Sequence, residues 1–421
     1  MSKSSIPHRL VITMLCLGGF ALATTAAMAH DGQGFIYGKV TTDSGQAYTG
    51  FLRWSDEEAF WDDLFHSLKE ELPYQGGGEW ADEAWRDRDH PRESRIRIFG
   101  KDIVILSRDD DYDEVSRVFI CRFGDIERIR VTGSDDAEIY LKSGSHLEVS
   151  GYSNDVGTTV RVRDDSFGDI DIRWNRIETI EFMPVPTGRE SDVFRLHGKV
   201  ETAVGELEGF IQWDKEECLS SDELDGDTID GNVSIPFGNI RSIEREGRHS
   251  STVVLKDGRS MRLRDSNDVN SENRGIMVED PRYGRLTVPW SEFDRLIFSD
   301  AGSSGRSYDD FPPLQELRGT VRHVDGTEYQ GRVVIDLDEA EGWEMLNGSW
   351  EDVQCDIPLA MVTKIAPRSR HGSMVTLATG EVLRLEDGQD VSDRNDGVLI
   401  FVNGDDPVYV AWDDVKEISF H

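Results

Sequence analysis

The chain has 421 residues, with 82 Asp and Glu against 46 Lys and Arg, so its formal net charge is -36 at pH 7. Such a field repels phosphate backbones and anionic headgroups, and no cluster of Lys and Arg offsets it, so nucleic acid is excluded as the expected partner. The length is sufficient for roughly two to four cores. The acidity is spread along the whole chain, which is typical of a solvated surface. Cation binding and adaptation to high salt are the alternatives.

The first 29 residues have the pattern of a secretory signal peptide. Lys3 and Arg9 precede an apolar run over 10–23, and an Ala-Met-Ala cleavage sequence ends at Ala29. No later segment has the roughly 18 apolar residues that a transmembrane helix needs. We therefore expect cleavage near Ala29 and a periplasmic or extracellular mature protein.

Three cysteines follow this segment, Cys121, Cys218 and Cys355. An odd number allows at most one disulfide per chain, so disulfides are not the framework of the fold. Cys121 and Cys355 lie beside alternating apolar runs, where a cysteine is typically a small buried side chain.

An internal repeat is the strongest organisational signal. Trp174, Trp290 and Trp412 lie in three similar stretches, IRWNRIETIEF, VPWSEFDRLIF and VAWDDVKEISF. Six positions of the second and third copies match at an offset of 121 or 122 residues. Because each Trp keeps its spacing to the following apolar residues, we expect the three to be buried at equivalent positions.

Each copy also divides into two halves with the same plan. A half has two alternating runs about a Gly-containing turn, which predicts a hairpin. It then ends in a strand, a turn with apolar residues at i and i+3, which suits a 3₁₀ turn, and a last strand. This order of elements resembles the small SH3-like or Sm-like barrels. The sequence therefore predicts a mainly β protein of three tandem repeats, each made of two such barrel halves packed back to back.

Two stretches rich in Pro, Gly and Ser separate the copies. The predicted organisation is a signal peptide (1–29), repeat 1 (30–183), a linker (184–192), repeat 2 (193–299), a linker (300–314) and repeat 3 (315–421). The offset between the first two copies falls from 160 at Gly38 to 114 at Ile126, a difference of 46 residues. Repeat 1 therefore carries an insertion, at about 59–118.

The start of this insertion has the pattern of an amphipathic helix. Ser55 and Glu58 have capping-box spacing, and apolar residues follow at helical spacing on one face. These residues are Trp61, Leu64, Phe65, Leu68 and Leu72. We expect the apolar face to cover an open barrel end or, alternatively, to dock a partner.

The next part of the insertion contains Trp80 and Trp85 in polar, Gly-rich surroundings, beside Glu79 and Asp82. Aromatic side chains in a loop that breaks the repeat are typical of a contact surface. These four residues are the predicted binding site.

Two oxygen-rich loops are candidate Ca²⁺ sites. Their acidic residues are Asp109, Asp111 and Asp113 in the first loop, and Asp225, Asp227 and Asp230 in the second. The second loop lacks two ligands of an EF-hand, and no His or Cys spacing indicates another metal. The sequence thus predicts no cofactor, with Ca²⁺ at these loops as the alternative.

Acidic residues also follow the first hairpin of every copy. They are Asp56, Glu57 and Glu58; Asp214, Glu216 and Glu217; and Asp336, Asp338 and Glu339. Paired carboxylates act as acid and base only where their surroundings separate their pKa values, and the sequence shows no such contrast. Stabilisation of a helix start by its dipole is the simpler interpretation.

A further Asp recurs in the second half of each copy, at Asp155, Asp268 and Asp390. It can be a ligand or a turn former. We favour the turn, because Asp side chains bond to the backbone two residues on.

No nucleophile motif or Gly-rich phosphate loop accompanies these residues. The sequence therefore favours a non-enzymatic binding or scaffold protein whose partner is a protein or an envelope polymer. The alternative is a hydrolase that acts on carbohydrate or cell-envelope polymer near the insertion. The oligomeric state is not indicated.

Overall fold

The computed structural model describes residues 30–70, 93–98, 101–106, 117–151, 155–402, 404 and 406–421. Within these residues the fold is mainly β, as the alternating runs predicted, and the helical elements are 3₁₀ turns of three residues. The 3₁₀ turns are Phe123–Asp125, Trp174–Arg176, Phe237–Asn239, Asn267–Val269, Tyr308–Asp310, Leu359–Met361 and Trp412–Asp414. The described part of the chain contains no helix with the length and apolarity to cross a bilayer.

Thirty-four strands occur in the described residues. The first fourteen are β1 (His30–Asp31), β2 (Tyr37–Thr42), β3 (Ala47–Trp54), β4 (Leu64–Lys69), β5 (Glu93–Ile98), β6 (Lys101–Leu106), β7 (Arg117–Arg122), β8 (Ile126–Val131), β9 (Asp136–Leu141), β10 (His146–Ser150), β11 (Thr159–Asp164), β12 (Gly168–Arg173), β13 (Ile177–Phe182) and β14 (Glu190–Ser191). The next ten are β15 (His197–Thr202), β16 (Gly205–Gln212), β17 (Glu223–Thr228), β18 (Gly231–Pro236), β19 (Ile240–Arg245), β20 (Ser250–Leu255), β21 (Ser260–Arg264), β22 (Ile276–Asp280), β23 (Gly284–Val288) and β24 (Phe293–Phe298). The last ten are β25 (Arg318–His323), β26 (Glu328–Ile335), β27 (Met345–Trp350), β28 (Val353–Pro358), β29 (Val362–Ser369), β30 (Gly372–Leu377), β31 (Val382–Glu386), β32 (Val398–Phe401), β33 (Val408–Val410) and β34 (Val415–Phe420).

The same order of antiparallel pairing occurs in three sets of ten strands, which we call units 1, 2 and 3. Unit 1 has the order β12, β11, β3, β2, β13, β8, β9, β10, β4, β7. Unit 2 has the order β23, β22, β16, β15, β24, β19, β20, β21, β17, β18. Unit 3 has the order β33, β32, β26, β25, β34, β29, β30, β31, β27, β28. None of these three described paths closes on itself into a barrel.

Further pairings connect or extend the units. β23 pairs with β28, so units 2 and 3 form one sheet of twenty strands. Most of their buried apolar side chains form one hydrophobic core, whereas unit 1 has a separate core that also contains Trp343 of unit 3. β1 pairs with β14, and β5 pairs with β6 inside the insertion.

The expectation that each half of a repeat folds on its own strands is wrong. In unit 1 the first hairpin, β2 and β3, pairs with β13 and β11 of the second half, and β4 pairs with β10. An alternating pattern specifies which face of a strand is buried but not which strand lies beside it. Exchanging strands also joins two halves that are each too small to bury much surface alone.

A pair of glycines explains how the first hairpin fits between its neighbours. Gly38 lies opposite Gly50 in the register of β2 and β3. A Cβ atom on Gly50 would lie 1.8 Å from the carbonyl oxygen of Arg163 on β11, so only glycine allows this close approach. The same facing pairs recur as Gly198 with Gly209 and Gly319 with Gly331.

The predicted helix at the start of the insertion is wrong. Leu64–Lys69 is strand β4, paired along its length with β7. Leu64 and Phe65 are both buried although neighbouring residues of a strand point to opposite faces, and Phe65 belongs to the core of unit 1. Burial on both faces removes the alternation and leaves apolar spacings that imitate a helix. Leu72 lies outside the described residues.

The insertion proper lies at the tip of one hairpin. Lys69 is paired with Arg117, whereas the matching hairpin ends of units 2 and 3 are closed by two residues each, 229–230 and 351–352. Residues 70–116 are therefore the segment that unit 1 has in addition to the common repeat. Residues 59–69 are part of the repeat itself, because Trp61 and Phe65 belong to the core of unit 1.

The burial expected for the three repeated tryptophans is confirmed. Trp174, Trp290 and Trp412 are 2%, 5% and 5% exposed. The indole N–H groups of the first two donate to the carbonyl oxygens of Gly133 and Gly247. In these two units the tryptophan thus ties the last turn to the bend that opens the second half.

The stretch 300–314, predicted to be a linker, packs on unit 1. The hydroxyl of Tyr308 donates to the carbonyl of Ile126 at 2.9 Å, and the ammonium of Lys142 lies 3.2 Å from the centre of the Tyr308 ring. Tyr308 and Phe311 are both part of the core of unit 1. The connection between units 2 and 3 therefore also holds unit 1 in place.

The close approach at Gly50 predicts a large effect of one methyl group. Gly50→Ala should lower the free energy of unfolding by about 3 kcal/mol, the upper end of the cost of overpacking, because β11 has to move away. Urea unfolding measures this loss. Thr49→Ala, at the neighbouring position, is the control and should change little, and an equal loss in both variants would contradict the steric explanation.

Candidate functional site

The acidic residues after the first hairpin form a tight turn in each unit, so their interpretation as a helix start is wrong. Trp54 pairs with Glu58 across this turn, and the intervening Ser55 and Asp56 have φ values of 53° and 59°. The matching residues with positive φ are Asp214 and Lys215 in unit 2, and Asp336 and Leu337 in unit 3. Asp tolerates the left-handed region better than most residues, which explains its recurrence here.

A second carboxylate shapes the residues that follow each turn. One oxygen of Asp63 accepts the backbone N–H groups of Ala59 and Phe60, both at 2.9 Å. Asp222 binds the N–H groups of Cys218 and Leu219 in the same way, and Glu344 binds those of Ala340 and Glu341. We call residues 58–63, 217–222 and 339–344 the capped loops.

Each of the same three carboxylates also binds a cation from another unit, through the oxygen that does not accept the backbone bonds. The pairs are Asp63 with Arg285 at 2.9 Å, Asp222 with Arg53 at 2.9 Å, and Glu344 with Lys69 at 2.6 Å. A capped loop therefore does two things with one side chain, because it bends its own backbone and attaches its unit to a neighbour.

Units 1 and 2 meet through a buried group of charges. The side chain of Arg195 is 3% exposed, lies 3.2 Å from Asp62 and 3.5 Å from Asp63, and covers the ring of Phe60 at 4.3 Å. Burial opposes ionisation of Asp62, but Arg195 and other guanidinium groups hold the pKa of its carboxyl below the ordinary value. Asp62 is therefore ionised, and the contact is a paired ionic interface.

Units 1 and 3 meet through a second group of charges. Lys69 is 3% exposed and lies 2.6 Å from Glu344 and 3.3 Å from Asp338, while Arg117 contacts Asp336 at 3.0 Å and also Asp396. Burial alone would lower the pKa of Lys69, but the carboxylates of Glu344 and Asp338 raise it above the usual range. Both cations therefore stay charged.

This second interface contains the one group of three potential metal ligands in the part of the chain that the structure describes. The ligand oxygens of Asp336, Asp338 and Glu339 lie within 4.8 Å of one another. Arg117 and Lys69 already bind the first two. Burial, with Asp338 and Asp390 nearby, raises the pKa of Glu339 well above its usual range. The charges of this group are thus balanced by the protein itself.

The recurring Asp of the second half links its loop to a strand. The carboxylate of Asp268 accepts the backbone N–H of Asp225 at 2.6 Å, at the start of β17. Asp155 and Asp390 accept the N–H groups of His66 and Asn347 in the same way. The side chain of Ser266 also bonds to the N–H of Asp268 and forms the turn. A structural acceptor role accounts for this residue.

The pKa contrast that the sequence did not show is present inside unit 2. Burial, with the neighbouring Asp268, raises the pKa of Glu217 to about 9, and burial raises the pKa of Asp268 to about 6. Two carboxyl groups with separated pKa values are a requirement for acid–base work. Substrate access is the other requirement, and here Asp268 is buried while Glu217 is half-buried at the start of the capped loop.

A recess lies at the contact between units 1 and 2. Its wall includes Asp63, Arg195, Gln212, Glu279 and Arg285. Asp63 and Glu279 are both bonded to Arg285, so the charges in the wall already have partners. This wall offers no unpaired acid and base to a substrate.

The sequence-predicted binding and metal residues are placed as follows. Trp80, Trp85, Glu79, Asp82, Asp109, Asp111 and Asp113 all lie outside the described residues. Asp225 and Asp227 lie on β17, and Asp230 lies in the turn after it. Asp225 accepts a hydrogen bond from the hydroxyl of Ser234. These three residues do not form a group of neighbouring ligands in the described part, and Ca²⁺ binding there stays a prediction.

The three cysteines are free and buried. Burial raises the pKa values of the Cys121 and Cys218 thiols well above the ordinary value. A buried neutral thiol is a poor nucleophile, so neither residue supports covalent chemistry.

Sequence reasoning missed the cations at the interfaces, above all Lys69, Arg117, Arg195 and Arg285. A weak signal was available, since Lys69 and Arg285 stand within the strand sequences LFHSLK and GRLTV of a chain that has few basic residues. A basic residue within a strand whose neighbours are buried is an indication of a buried partner carboxylate.

Removal of the buried cation at the interface of units 1 and 3 should destabilise the protein. Lys69→Met leaves Glu344 and Asp338 buried without their counter-ion, and the free energy of unfolding should fall by about 3–5 kcal/mol. The matched control is Lys199→Met, which removes an exposed ion pair with Glu206 and should have little effect. Adding Glu344→Gln to Lys69→Met should recover part of the loss, and additive losses would contradict the pairing.

The raised pKa of Glu217 predicts a defined pH dependence. Between its ordinary value of 4.5 and about 9, folded Glu217 is protonated and unfolded Glu217 is ionised, so unfolding releases a proton. The contribution of protonated Glu217 to the free energy of unfolding is complete below its ordinary pKa and is lost as the pH rises towards 9. In urea unfolding over this range, wild type should lose stability more steeply than Glu217→Gln. Parallel curves would show that Glu217 titrates normally.

Comparison of the chain with known protein families, with characterised proteins and with solved structures gives no significant match. The function therefore has to be argued from the charges, contacts and exposed elements of this structure.

Proposed function

We propose that this protein is a non-enzymatic binding or scaffold protein of the periplasm or the cell exterior. One observation carries the proposal: buried carboxylates of the capped loops bind both their own backbone and a cation of a neighbouring unit. Asp63 and Glu344 each bind two backbone N–H groups and a buried cation. Carboxylates with these partners hold the chain in one arrangement and are not available to a substrate.

We infer that the three units are tandem repeats of one module whose two five-strand parts are similar to SH3-like or Sm-like barrels. Three features support this inference. The order of ten strands is the same, a pair of facing glycines lies in each first hairpin, and a capped loop follows each second strand. Such a module supplies a stable framework from which loops project.

The insertion at 70–116 is the proposed binding element. Its two ends are fixed, because Lys69 and Arg117 are paired with each other and bound to carboxylates of unit 3. Both ends of the insertion are therefore held on the framework. The predicted contact residues within it are Trp80, Trp85, Glu79 and Asp82, and the proposed partner is a protein or an envelope polymer.

The alternative is a hydrolase that acts on carbohydrate or envelope polymer. The observation that favours it is the pair of separated pKa values at Glu217 and Asp268. Asp268 is buried and Glu217 is half-buried within the capped loop of unit 2, which favours the binding protein instead.

The insertion can be removed without disturbing the framework, because units 2 and 3 close the same hairpin with two residues. We expect a variant in which Asn-Gly replaces 70–116, with Lys69 and Arg117 retained, to unfold cooperatively near the wild-type temperature. Immobilised wild type should retain a specific protein or polymer from envelope extract, and the deletion variant should not.

A double variant, Trp80→Ala with Trp85→Ala, is the control that keeps the length of the insertion, and it should also lose most of the retained partner. Equal retention by all three proteins would show that the insertion is not the binding element. Release of soluble fragments from envelope polymer by wild type, abolished by Glu217→Gln, would establish the hydrolase.

A further inference from the structure

The edge strands β12 of unit 1 and β18 of unit 2 correspond to β23 and β28, two strands that pair with each other between units 2 and 3. Between units 2 and 3, β23 pairs antiparallel with β28, with Arg285 opposite Asp356 and Thr287 opposite Gln354. In the common order of ten strands, β12 of unit 1 has the place of β23, and β18 of unit 2 has the place of β28. Among the described strands, β12 pairs with β11 alone and β18 with β17 alone, so each has an outer edge without a partner strand.

The outer edge of β18 is open to a partner. A two-residue turn closes the hairpin of β17 and β18, so Thr228 and Gly231 form a hydrogen-bonded pair. Because hydrogen-bonded and non-hydrogen-bonded pairs alternate along an antiparallel ladder, the backbone N–H and C=O groups of Asn232 and Ser234 point away from β17. Both residues are exposed. Exposed edges are usually protected by charged residues or proline, yet β18 has no charged residue and its proline is the last residue, Pro236. β18 is therefore prepared for strand addition.

The hairpin tips beside these edges carry exposed apolar side chains. Beside the β23–β28 contact, the rings of Tyr283 and Trp350 lie 5.5 Å apart. Phe167 corresponds to Tyr283, because each directly precedes the glycine that begins its strand. Thr228 corresponds to Trp350, and Ile229 is the residue that follows Thr228. Phe167 and Ile229 are 64% and 95% exposed, the highest values among the large hydrophobic side chains of the described residues. Pairing of the two edges would bring both side chains together and cover them.

The facing side chains are also compatible in the register of β23 and β28. That register places Asp169 opposite Ser234 and Asp171 opposite Asn232. A hydroxyl and an amide can each donate a hydrogen bond to the opposing carboxylate, and no two like charges face each other. The one remaining pair, Ile170 with Val233, is apolar.

We propose that copies of this chain associate with one another through antiparallel pairing of β12 of one copy with β18 of another. Within one copy, units 1 and 2 are held instead by their capped loops, through Arg195 with Asp62 and Arg53 with Asp222. That contact leaves both edges exposed. Because every copy carries both edges, the contact is heterologous and repeats into a ring or an open chain of copies. The proposal rests on strand pairing and does not depend on the proposed function.

Sedimentation velocity over a wide range of concentration tests the association. The mass of wild type should rise with concentration, and Ser234→Thr should behave like wild type. Ser234→Pro removes a backbone N–H that faces solvent in the monomer, a place where a strand tolerates proline, so this variant should fold but stay monomeric. Phe167→Asp combined with Ile229→Asp should also stay monomeric. A monomeric wild type, or association of Ser234→Pro at the wild-type level, would overturn the proposal.

Cysteine cross-linking tests the register and separates contacts between copies from contacts within one copy. A mixture of Asp169→Cys copies with Ser234→Cys copies should form a disulfide-linked dimer when an oxidant is added, and neither variant should do so alone. A mixture of Glu201→Cys, an exposed residue of β15, with Ser234→Cys is the control. Equal yields from the two mixtures would show that the pairing of β12 with β18 is wrong.

Discussion

Every charge that this fold buries between its units requires a partner of opposite sign, and this requirement determines how the units fit together. The free energy gained by a buried ion pair is small once desolvation is counted, but loss of one partner is costly. Asp63 and Glu344 add a further constraint, because each also holds two backbone N–H groups of its own capped loop. An arrangement that separated Arg285 from Asp63, or Lys69 from Glu344, would leave charges buried alone. The ion pairs therefore select one arrangement of unit 1 against units 2 and 3, which are themselves joined by the pairing of β23 with β28.

This constraint also separates framework from function. In most enzymes the residues with strongly shifted pKa values mark the active site. In this protein the shifts at Asp62 and Lys69 arise from ion pairs between units, so they mark joints of the framework. What remains for recognition is the surface of hairpin tips and edges, where Phe167 and Ile229 are exposed. Rigid joints and exposed tips are the expected combination in a protein that presents binding elements to other molecules.

The features that could be predicted from the sequence are local ones. Alternating runs about Gly turns predicted the strands, and the constant spacing after Trp174, Trp290 and Trp412 predicted their burial. The failures concern long-range contacts. The apolar residues around Leu64 imitated a helix because both faces of β4 carry buried side chains. No periodic signal in the sequence indicates that β2 and β3 pair with strands of the other half. The same is true of the pairing of Lys69 with Glu344, which lies 275 residues away.

The central claim is that the capped loops join unit 1 to the sheet of units 2 and 3, so that the whole forms one cooperative structure. Native-state hydrogen exchange tests it most directly, through the backbone N–H groups that Asp63, Asp222 and Glu344 accept, at residues 59–60, 218–219 and 340–341. If the claim is right, these amides exchange only when the core strands unfold, with the same dependence on denaturant. Rapid exchange at the capped loops while the core strands stay protected would show that the units dock loosely, and it would contradict the account.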